Sequence, residues 1–162
     1  MENELDKDQN TSTRPWMKMI ISLKVATRIL HITQSLNQMR GHVILIGDAG
    51  SGRRSCALLS SRLLKYEVYQ IRAGRSYGLP QWKEDMKQII RQTGIYKKRT
   101  VFLSTASTFP SEMCFDHLAR LIGGYEISDL FTNEERSELL DLYQRTYKEN
   151  VNFEYLFAIF LN

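Results

Sequence analysis

The sequence predicts an α/β fold with a parallel sheet, and three observations predict it. Residues 43–46 form a short apolar run rich in β-branched side chains, which is typical of strands buried on both faces. A glycine-rich loop joins this run directly to a helical segment. Two further strand–helix pairs follow. Strands that alternate with helices imply right-handed crossovers, and therefore parallel strands.

The composition is that of one ordinary globular domain, with 162 residues, 43% of them apolar and 25% charged. No window approaches the roughly 18 apolar residues of a membrane helix, and from the acidic start we expect no signal peptide. The net charge of +4 is mild, and no basic stripe with interleaved aromatic residues is present, so we expect neither a nucleic-acid nor a membrane partner. Cys56 and Cys114 are predicted to be buried hydrophobes of a reducing compartment.

The first part of the chain is predicted to contain a tail and one amphipathic helix. Residues 1–19 form a polar tail that we expect to be disordered, and residues 20–162 form the domain. A helix is predicted over residues 20–39 and ends before Gly41. Its apolar face comprises Ile21, Val25, Ile29, Ile32 and Leu36.

The middle of the chain predicts a helix, a strand and a second helix. After the loop, a helix covers residues 53–65 and a strand covers residues 67–72. Pro80 opens the next helix, which ends at Gly94. The apolar face of this helix comprises Trp82, Met86, Ile89 and Ile90.

The last part predicts one strand and three helices. The strand covers residues 100–105, and Pro110 opens a helix that ends at the glycine pair 123–124. Thr132 and Glu135 have the spacing of a capping box, and Asn152 can cap a final helix over residues 153–161. The capping box precedes an apolar face formed by Leu139, Leu142, Tyr143 and Tyr147.

The strongest chemical signal is the loop between the first predicted strand and its helix. Such a loop lets successive N–H groups point inward, and with the helix N-terminus these groups bind phosphate oxygens. The predicted nucleotide-binding residues are Gly47, Asp48, Ala49, Gly50, Ser51, Gly52, Arg53, Arg54 and Ser55. The pattern therefore predicts a phosphate-binding loop by ancestry, and ATP or ADP are the candidate ligands, with nucleotide binding itself left open.

The loop departs from the strict pattern G-x-x-x-x-G-K-[ST]. Arg53 replaces the lysine and keeps its charge, whereas Arg54 stands in the hydroxyl position and cannot coordinate Mg²⁺. Ser55 lies one residue later, about 100° further round the helix. Asp48 adds a negative charge where anions would bind. Two guanidinium groups near the phosphates could neutralise their charge without Mg²⁺, and we take this as a hypothesis.

No catalytic or metal-ligating set is predicted. A P-loop hydrolase needs a carboxylate after a second strand, and Ala106 and Ser107 occupy these positions. The next acid, Glu112, is predicted to stabilise a helix start. The scattered histidines, for which we expect packing or surface roles, are His31, His42 and His117.

Several segments together resemble the fourth AAA+ module of dynein heavy chains, of the axonemal type. The segments are Gly50-Ser51-Gly52-Arg53-Arg54-Ser55, residues 66–72, Tyr77-Gly78, residues 82–87, residues 100–103, residues 118–122, Glu126-Ile127, Leu130-Phe131 and residues 133–136. The resemblance implies a P-loop NTPase (AAA+) large subdomain of three layers, α/β/α. It also implies a regulatory nucleotide site in a ring of six modules within a microtubule motor that runs on ATP hydrolysis.

The resemblance further implies partners, a location and a missing strand. The partners would be the other AAA+ modules of the same heavy chain, and dynein light and intermediate chains and microtubules through the full-length motor. The location would be the cytoplasm and its cytoskeleton, in the axoneme of a cilium or flagellum. In AAA+ sheets the fourth strand lies between the loop-bearing strand and the third. We therefore expect a fragment, truncated before that strand, in which residues 43–46 have no neighbour.

Where the sequence departs from the family, the resemblance argues for a degenerate site. The family has glycine where Ala49 stands, and lysine or arginine followed by glutamine where Arg53 and Arg54 stand. Ser55 matches its displaced hydroxyl. The family has an acid where Ala106 stands and often glutamate where Ser107 stands. The losses at 106 and 107 argue against ATP hydrolysis and against strong Mg²⁺ binding.

Three other interpretations of the function stay open from the sequence alone. The module could hydrolyse ATP itself, against which Ala106 and Ser107 argue. It could be a structural or interaction module that binds no nucleotide. A small nucleotide kinase would need a strict loop lysine and an arginine lid, and neither is evident.

Overall fold

A computed structural model describes residues 20–71, 76–127 and 129–160, without the side chains of residues 159 and 160. The predicted tail, residues 1–19, lies outside these described residues. Within them, the helices are α1 (Leu23–Leu36), α2 (Arg53–Leu63), α3 (Leu79–Gly94), α4 (Met113–Gly123), α5 (Asn133–Tyr147) and α6 (Phe153–Phe160). The strands are β1 (Glu67–Gln70) and β2 (Thr100–Leu103), and a short 3₁₀ helix covers Ala106–Thr108.

The two strands pair in parallel, which confirms the α/β class. The register runs from Glu67 opposite Thr100 to Gln70 opposite Leu103. The long connection between the strands contains α3, as a parallel pair requires a crossover rather than a hairpin. Both strands therefore end at the same edge of the sheet, near the loop that precedes α2.

Residues 43–46 do not form the predicted strand, and the prediction that both of their faces are buried is wrong. In the described part of the chain the sheet consists of β1 and β2 alone. Val43 and Leu45 pack against α1 and α2, while Ile44 and Ile46 are 86% and 91% exposed. Side chains that alternate in this way are typical of an extended segment with one covered face. Among the described residues, no strand pairs with this segment.

The core is divided into two clusters. The smaller cluster, built on Ile29, Ile32 and Cys56, joins α1 to α2 and supports the loop. The larger cluster surrounds Trp82, which is completely buried, and includes Cys114. Both cysteines are free and buried, as predicted. No helix within the described residues is long and apolar enough to cross a bilayer.

Most helix faces and ends agree with the sequence predictions, with three corrections. Thr132 and Glu135 form the predicted capping box of α5, and Asn152 Oδ1 accepts a hydrogen bond from Tyr155 N at 2.8 Å. Ile21 is exposed because Ser22 caps α1 and leaves Ile21 before the helix. Leu142 is 42% exposed rather than part of the buried face. The fourth helix begins at Met113, three residues after Pro110.

Candidate functional site

The loop before α2 is a tight turn that requires glycine at two positions. Gly50 and Gly52 have φ angles of +79° and +77°, in the left-handed region that side chains with a Cβ disfavour. A Cβ at either position would meet no atom within 4 Å. Glycine is therefore required at these two positions because of the backbone conformation and not because of a lack of space. Ser51 N closes the turn with a hydrogen bond to the Asp48 carbonyl at 3.2 Å.

The turn leads into the N-terminus of α2 without a side-chain cap. Gly52 is the N-cap residue, and its carbonyl accepts the first helical hydrogen bond, from Cys56 N at 2.9 Å. Glycine has no side chain to occupy the N–H groups of the first turn. The helix also has no acidic residue in that turn. The positive end of its dipole therefore favours an anion at this place.

A pocket of about 420 Å³ lies beside this turn. Its lining comprises Arg28, Ile44, Leu45, Ile46, Gly47, Asp48, Ser51 and Arg53. Its charged lining residues are two arginines and one aspartate, and its apolar lining residues are those at positions 44–46. Two cations beside a helix N-terminus favour phosphate oxygens, and the apolar segment can contact an uncharged part of the same ligand.

Four of the nine residues predicted to bind nucleotide line this pocket. They are Gly47, Asp48, Ser51 and Arg53. Ala49, Gly50, Gly52, Arg54 and Ser55 are not among its lining residues, although Gly50 and Gly52 shape the turn. Arg53 also lies close to Gly47, since a Cβ built on that glycine would be 3.7 Å from Arg53 Cδ.

The side chains of the two neighbouring arginines, Arg53 and Arg54, lie in different places. Arg54 Nη2 donates a hydrogen bond to Gln70 Oε1 at 2.5 Å, at the end of β1. Arg53 instead lies along the pocket. Successive helix residues differ by about 100° in direction, so the two side chains separate as they leave the backbone.

Arg28 is a pocket residue that the sequence reasoning missed. It lies on α1, and its Nη1 donates a hydrogen bond to the Ser51 carbonyl at 2.9 Å. It lies three residues after Val25 and four before Ile32, so helical spacing places it beside the apolar face of α1, but nothing in the local pattern connects it to a loop 23 residues away. Only the packing of α1 against α2 brings the two together.

The two positions at which a P-loop hydrolase would carry acidic residues follow β2. Ala106 and Ser107 belong to the 3₁₀ helix Ala106–Thr108, and both are exposed. The side chains that meet there are hydroxyls: Thr105 Oγ1 is 3.0 Å from Ser107 Oγ and 2.7 Å from Thr108 Oγ1. Within residues 20–71, 76–127 and 129–160, no group of three His, Cys, Asp or Glu side chains could hold a metal ion.

A second pocket, of about 590 Å³, lies between the end of β1 and the start of α3. Tyr69 and Tyr77 donate hydrogen bonds to the two oxygens of Asp85, at 2.6 and 2.5 Å. Burial and these bonds to the carboxylate raise the pKa of both phenols far above the ordinary value. Gln70 also lines this pocket, so the Arg54–Gln70 contact joins it to α2. The sequence reasoning did not identify this group.

The histidines have the packing and surface roles that were predicted. His31 and His42 are exposed, whereas His117 is 4% exposed. Trp82 Nε1 donates to His117 Nδ1 at 3.2 Å, so this nitrogen is unprotonated and the other one carries the hydrogen. His117 therefore contacts Trp82, which belongs to the larger cluster.

The chain matches one known protein family and is similar to several individual proteins. Residues 17–162 match the family model described as the P-loop containing dynein motor region D4. The chain is 33% identical over 154 residues to human dynein axonemal heavy chain 3, covering 93% of this chain and 4% of that protein. It is 26% identical over 137 residues to human dynein axonemal heavy chain 1.

An algal protein is also similar. The dynein alpha chain of the flagellar outer arm of Chlamydomonas reinhardtii is 27% identical over 134 residues, covering 83% of this chain. In each of these comparisons the chain spans only 3% or 4% of the length of the relative. The matched region includes the loop, both strands and all of the described helices.

Proposed function

Because the chain belongs to the family of the P-loop containing dynein motor region D4, we propose that it is a regulatory nucleotide-binding AAA+ module of a dynein heavy chain. In this proposal the module binds ATP or ADP and does not itself hydrolyse ATP. The glycine turn that opens α2 beside a pocket with two arginines carries the proposal.

The electrostatics of the pocket support an anionic ligand. The uncapped first turn of α2 supplies N–H donors, and Arg28 and Arg53 supply positive charge. Asp48 opposes an anion, but one carboxylate against two guanidiniums leaves the pocket positive. A polyphosphate is the anion that matches a loop of this geometry.

The end of β2 supports the absence of hydrolysis. Hydrolysis needs a group that orients and activates water, and a carboxylate at the end of a neighbouring strand usually helps to hold the metal. Ala106 has no polar side-chain atom, and Ser107 lies in a group of hydroxyls. A hydroxyl of ordinary acidity is a weak base, so this part of the site can bind but cannot readily remove a proton.

The pocket fits phosphate better than it fits Mg²⁺. A magnesium ion prefers six oxygen ligands, usually one or two carboxylates with waters and phosphates. Asp48 is the carboxylate among the lining residues of the pocket, and Arg54 stands where a hydroxyl ligand is expected. Arg28 and Arg53 would neutralise part of the phosphate charge that a metal ion neutralises elsewhere.

Equilibrium binding and turnover, measured on the same preparation of the chain, test this proposal. We expect ADP and ATP to raise the melting temperature, because a ligand stabilises the state that it binds, and we expect EDTA to leave most of the shift. ATP turnover should equal that of heat-denatured protein. Arg145→Gln, which removes an exposed charge from α5, is the matched control and should bind as the parent chain does.

Two outcomes would contradict the proposal in different ways. Sustained ATP turnover that is lost in the Arg53→Ala variant would show an ATP-hydrolysing module. A cooperative melt that millimolar ADP and ATP leave unchanged would favour a structural or interaction module without nucleotide. The first outcome overturns only the claim about hydrolysis, whereas the second overturns nucleotide binding itself.

The names of the relatives support a proposal about the wider role. They are axonemal heavy chains and a flagellar outer-arm chain, which supports work in the axoneme, a microtubule-based part of the cytoskeleton. We propose that the module acts beside the other AAA+ modules of one heavy chain. Light and intermediate chains and microtubules would then be partners of the whole motor rather than of this module.

A further inference from the structure

We propose that Arg28, on α1, is the second cation of the phosphate pocket, and that Arg54 is not. This inference rests on the proposed nucleotide-binding function and names the residues that carry it. The sequence pattern alone assigns the two charges to the neighbours Arg53 and Arg54. The structure points instead to a pair that is distant in sequence, Arg28 and Arg53.

The position of Arg28 is the first argument. Its Nη1 donates to the Ser51 carbonyl at 2.9 Å, and Ser51 is within the turn that precedes α2. A guanidinium has five N–H donors, and this bond uses one of them. Because Arg28 also lines the pocket, further donors of the same group are available at the ligand position.

The bond to Ser51 has a second consequence for an anion. A backbone carbonyl at the rim of the pocket presents partial negative charge, which would repel phosphate oxygens. The hydrogen bond from Arg28 neutralises part of that charge. Arg28 therefore improves the pocket in two ways, by adding a full positive charge and by covering an acceptor.

The partner of Arg54 is the third argument. Its Nη2 is 2.5 Å from Gln70 Oε1, so the side chain extends toward the end of β1. It is not among the residues that line the pocket. A planar guanidinium held by one neutral acceptor on a neighbouring strand is suited to positioning α2 rather than to contacting phosphate.

Three charge-removing variants of the full chain test the assignment, with pyrophosphate and ADP as separate probes in calorimetric titrations. Arg28→Gln and Arg53→Gln should each weaken binding of both probes at least about tenfold, because each removes a positive charge and its charge-assisted hydrogen bonds from the phosphate position. Arg54→Gln should weaken it less than threefold. Arg28→Lys, which keeps the charge, should recover most of the affinity lost in Arg28→Gln.

The dependence of binding on salt separates a charge at the ligand from a purely structural role of Arg28. Arg28→Gln removes the positive charge, whereas Arg28→Lys keeps it. We therefore expect the affinity of Arg28→Gln for pyrophosphate to decrease less steeply with added salt than that of the parent chain. Circular dichroism and melting curves confirm that each variant is folded.

The outcomes distinguish this inference from the proposed function. If Arg54→Gln loses as much affinity as Arg53→Gln while Arg28→Gln does not, the assignment is overturned and nucleotide binding stands. If pyrophosphate binding depends on Arg28 but ADP does not bind, the anion pocket stands and the nucleotide function fails. If neither probe binds the parent chain, both are overturned.

Discussion

Arg54 donates a hydrogen bond from Nη2 to Oε1 of Gln70 at 2.5 Å, and so joins the first turn of α2 to the end of β1. On one side of this contact is the turn before α2. On the other side is the hydrogen-bonded group of Tyr69, Asp85 and Tyr77. Gln70 lines the pocket beside that group. The Arg54–Gln70 hydrogen bond therefore connects the helix that follows the loop to the sheet.

The Arg54–Gln70 bond should be measurable as a coupling between the two side chains. In a double-mutant cycle with Arg54→Ala and Gln70→Ala, we expect a coupling free energy of unfolding of about 0.5–1 kcal/mol, small because Arg54 is exposed. Urea denaturation of the four proteins gives this value. Additive effects of the two substitutions would show that the contact contributes nothing to stability.

The left-handed conformation of Gly50 predicts a cost for any residue with a Cβ. Gly50→Val should lower the free energy of unfolding by about 1–2 kcal/mol, and Gly50→Asn by less, because asparagine tolerates this region better. No neighbouring atom would obstruct the new Cβ, so the cost is conformational. Urea denaturation measures both variants.

The control for this prediction is the neighbouring position. Ala49 is exposed and does not have a positive φ, so Ala49→Val adds two methyl groups in the same turn without that strain. We expect a change within about 0.5 kcal/mol for this exposed substitution. Equal destabilisation by Gly50→Val and Ala49→Val would show that bulk in the turn, rather than the backbone angle, is the cause.

The sequence predicted what depends on short-range spacing. One example is the capping box, in which Thr132 and Glu135 are three residues apart. Another is the buried face of α3, on which Trp82 and Met86 are four residues apart. Leu142 shows the limit of this reasoning. On α5 the buried residues are Leu139 and Tyr143, four apart, and Leu142 lies beside that narrow stripe, so periodicity alone did not exclude it.

What the sequence could not predict depends on contacts between distant segments. Residues 43–46 have the composition of a buried strand, but pairing requires a neighbour, and α1 and α2 cover only one face. The same holds for the candidate site. The glycine turn could be predicted from its spacing, whereas Arg28 enters the pocket only because α1 packs against α2.

Lys87 carries a buried charge that depends on Glu135. Its Nζ lies 2.6 Å from Glu135 Oε1, and Lys87 is 8% exposed. Burial would lower the pKa of Lys87, but hydrogen bonds to Glu135 and Glu84 raise it above the ordinary value. Glu135 is held from the other side as well, because its Oε2 accepts from Thr132 N at 2.9 Å.

Removing the Lys87 charge should destabilise the protein because it leaves Glu135 without its counter-ion. We expect Lys87→Met to lower the free energy of unfolding by about 2–3 kcal/mol, less than for a fully buried pair because Glu135 is partly exposed. Guanidinium denaturation at neutral pH measures it. Adding Glu135→Gln should recover part of the loss, since glutamine keeps the capping box without a charge. No recovery would show that packing, not charge, is lost.

The surroundings of His117, which contacts Trp82 of the larger cluster, favour its neutral form. Burial lowers the pKa of His117, and the charges of Lys83 and Arg120 act in the same direction, whereas those of Asp129 and Asp116 oppose them. Its Nδ1 accepts a hydrogen bond from Trp82, and its Nε2 lies 3.5 Å from Asp129 Oδ1. Protonation would place a second hydrogen between Nδ1 and the indole donor.

Acidification should therefore destabilise the fold through His117. Because the pKa is lower in the folded state than the ordinary 6.5, the unfolded chain binds the proton more readily, and stability decreases as the pH falls below about 6.5. Urea denaturation followed by Trp fluorescence between pH 7.5 and 5.5 measures this slope. His117→Gln keeps an acceptor for Trp82 but does not titrate, so its stability should change less over the same interval. An equal slope in His117→Gln would assign the pH dependence to other groups.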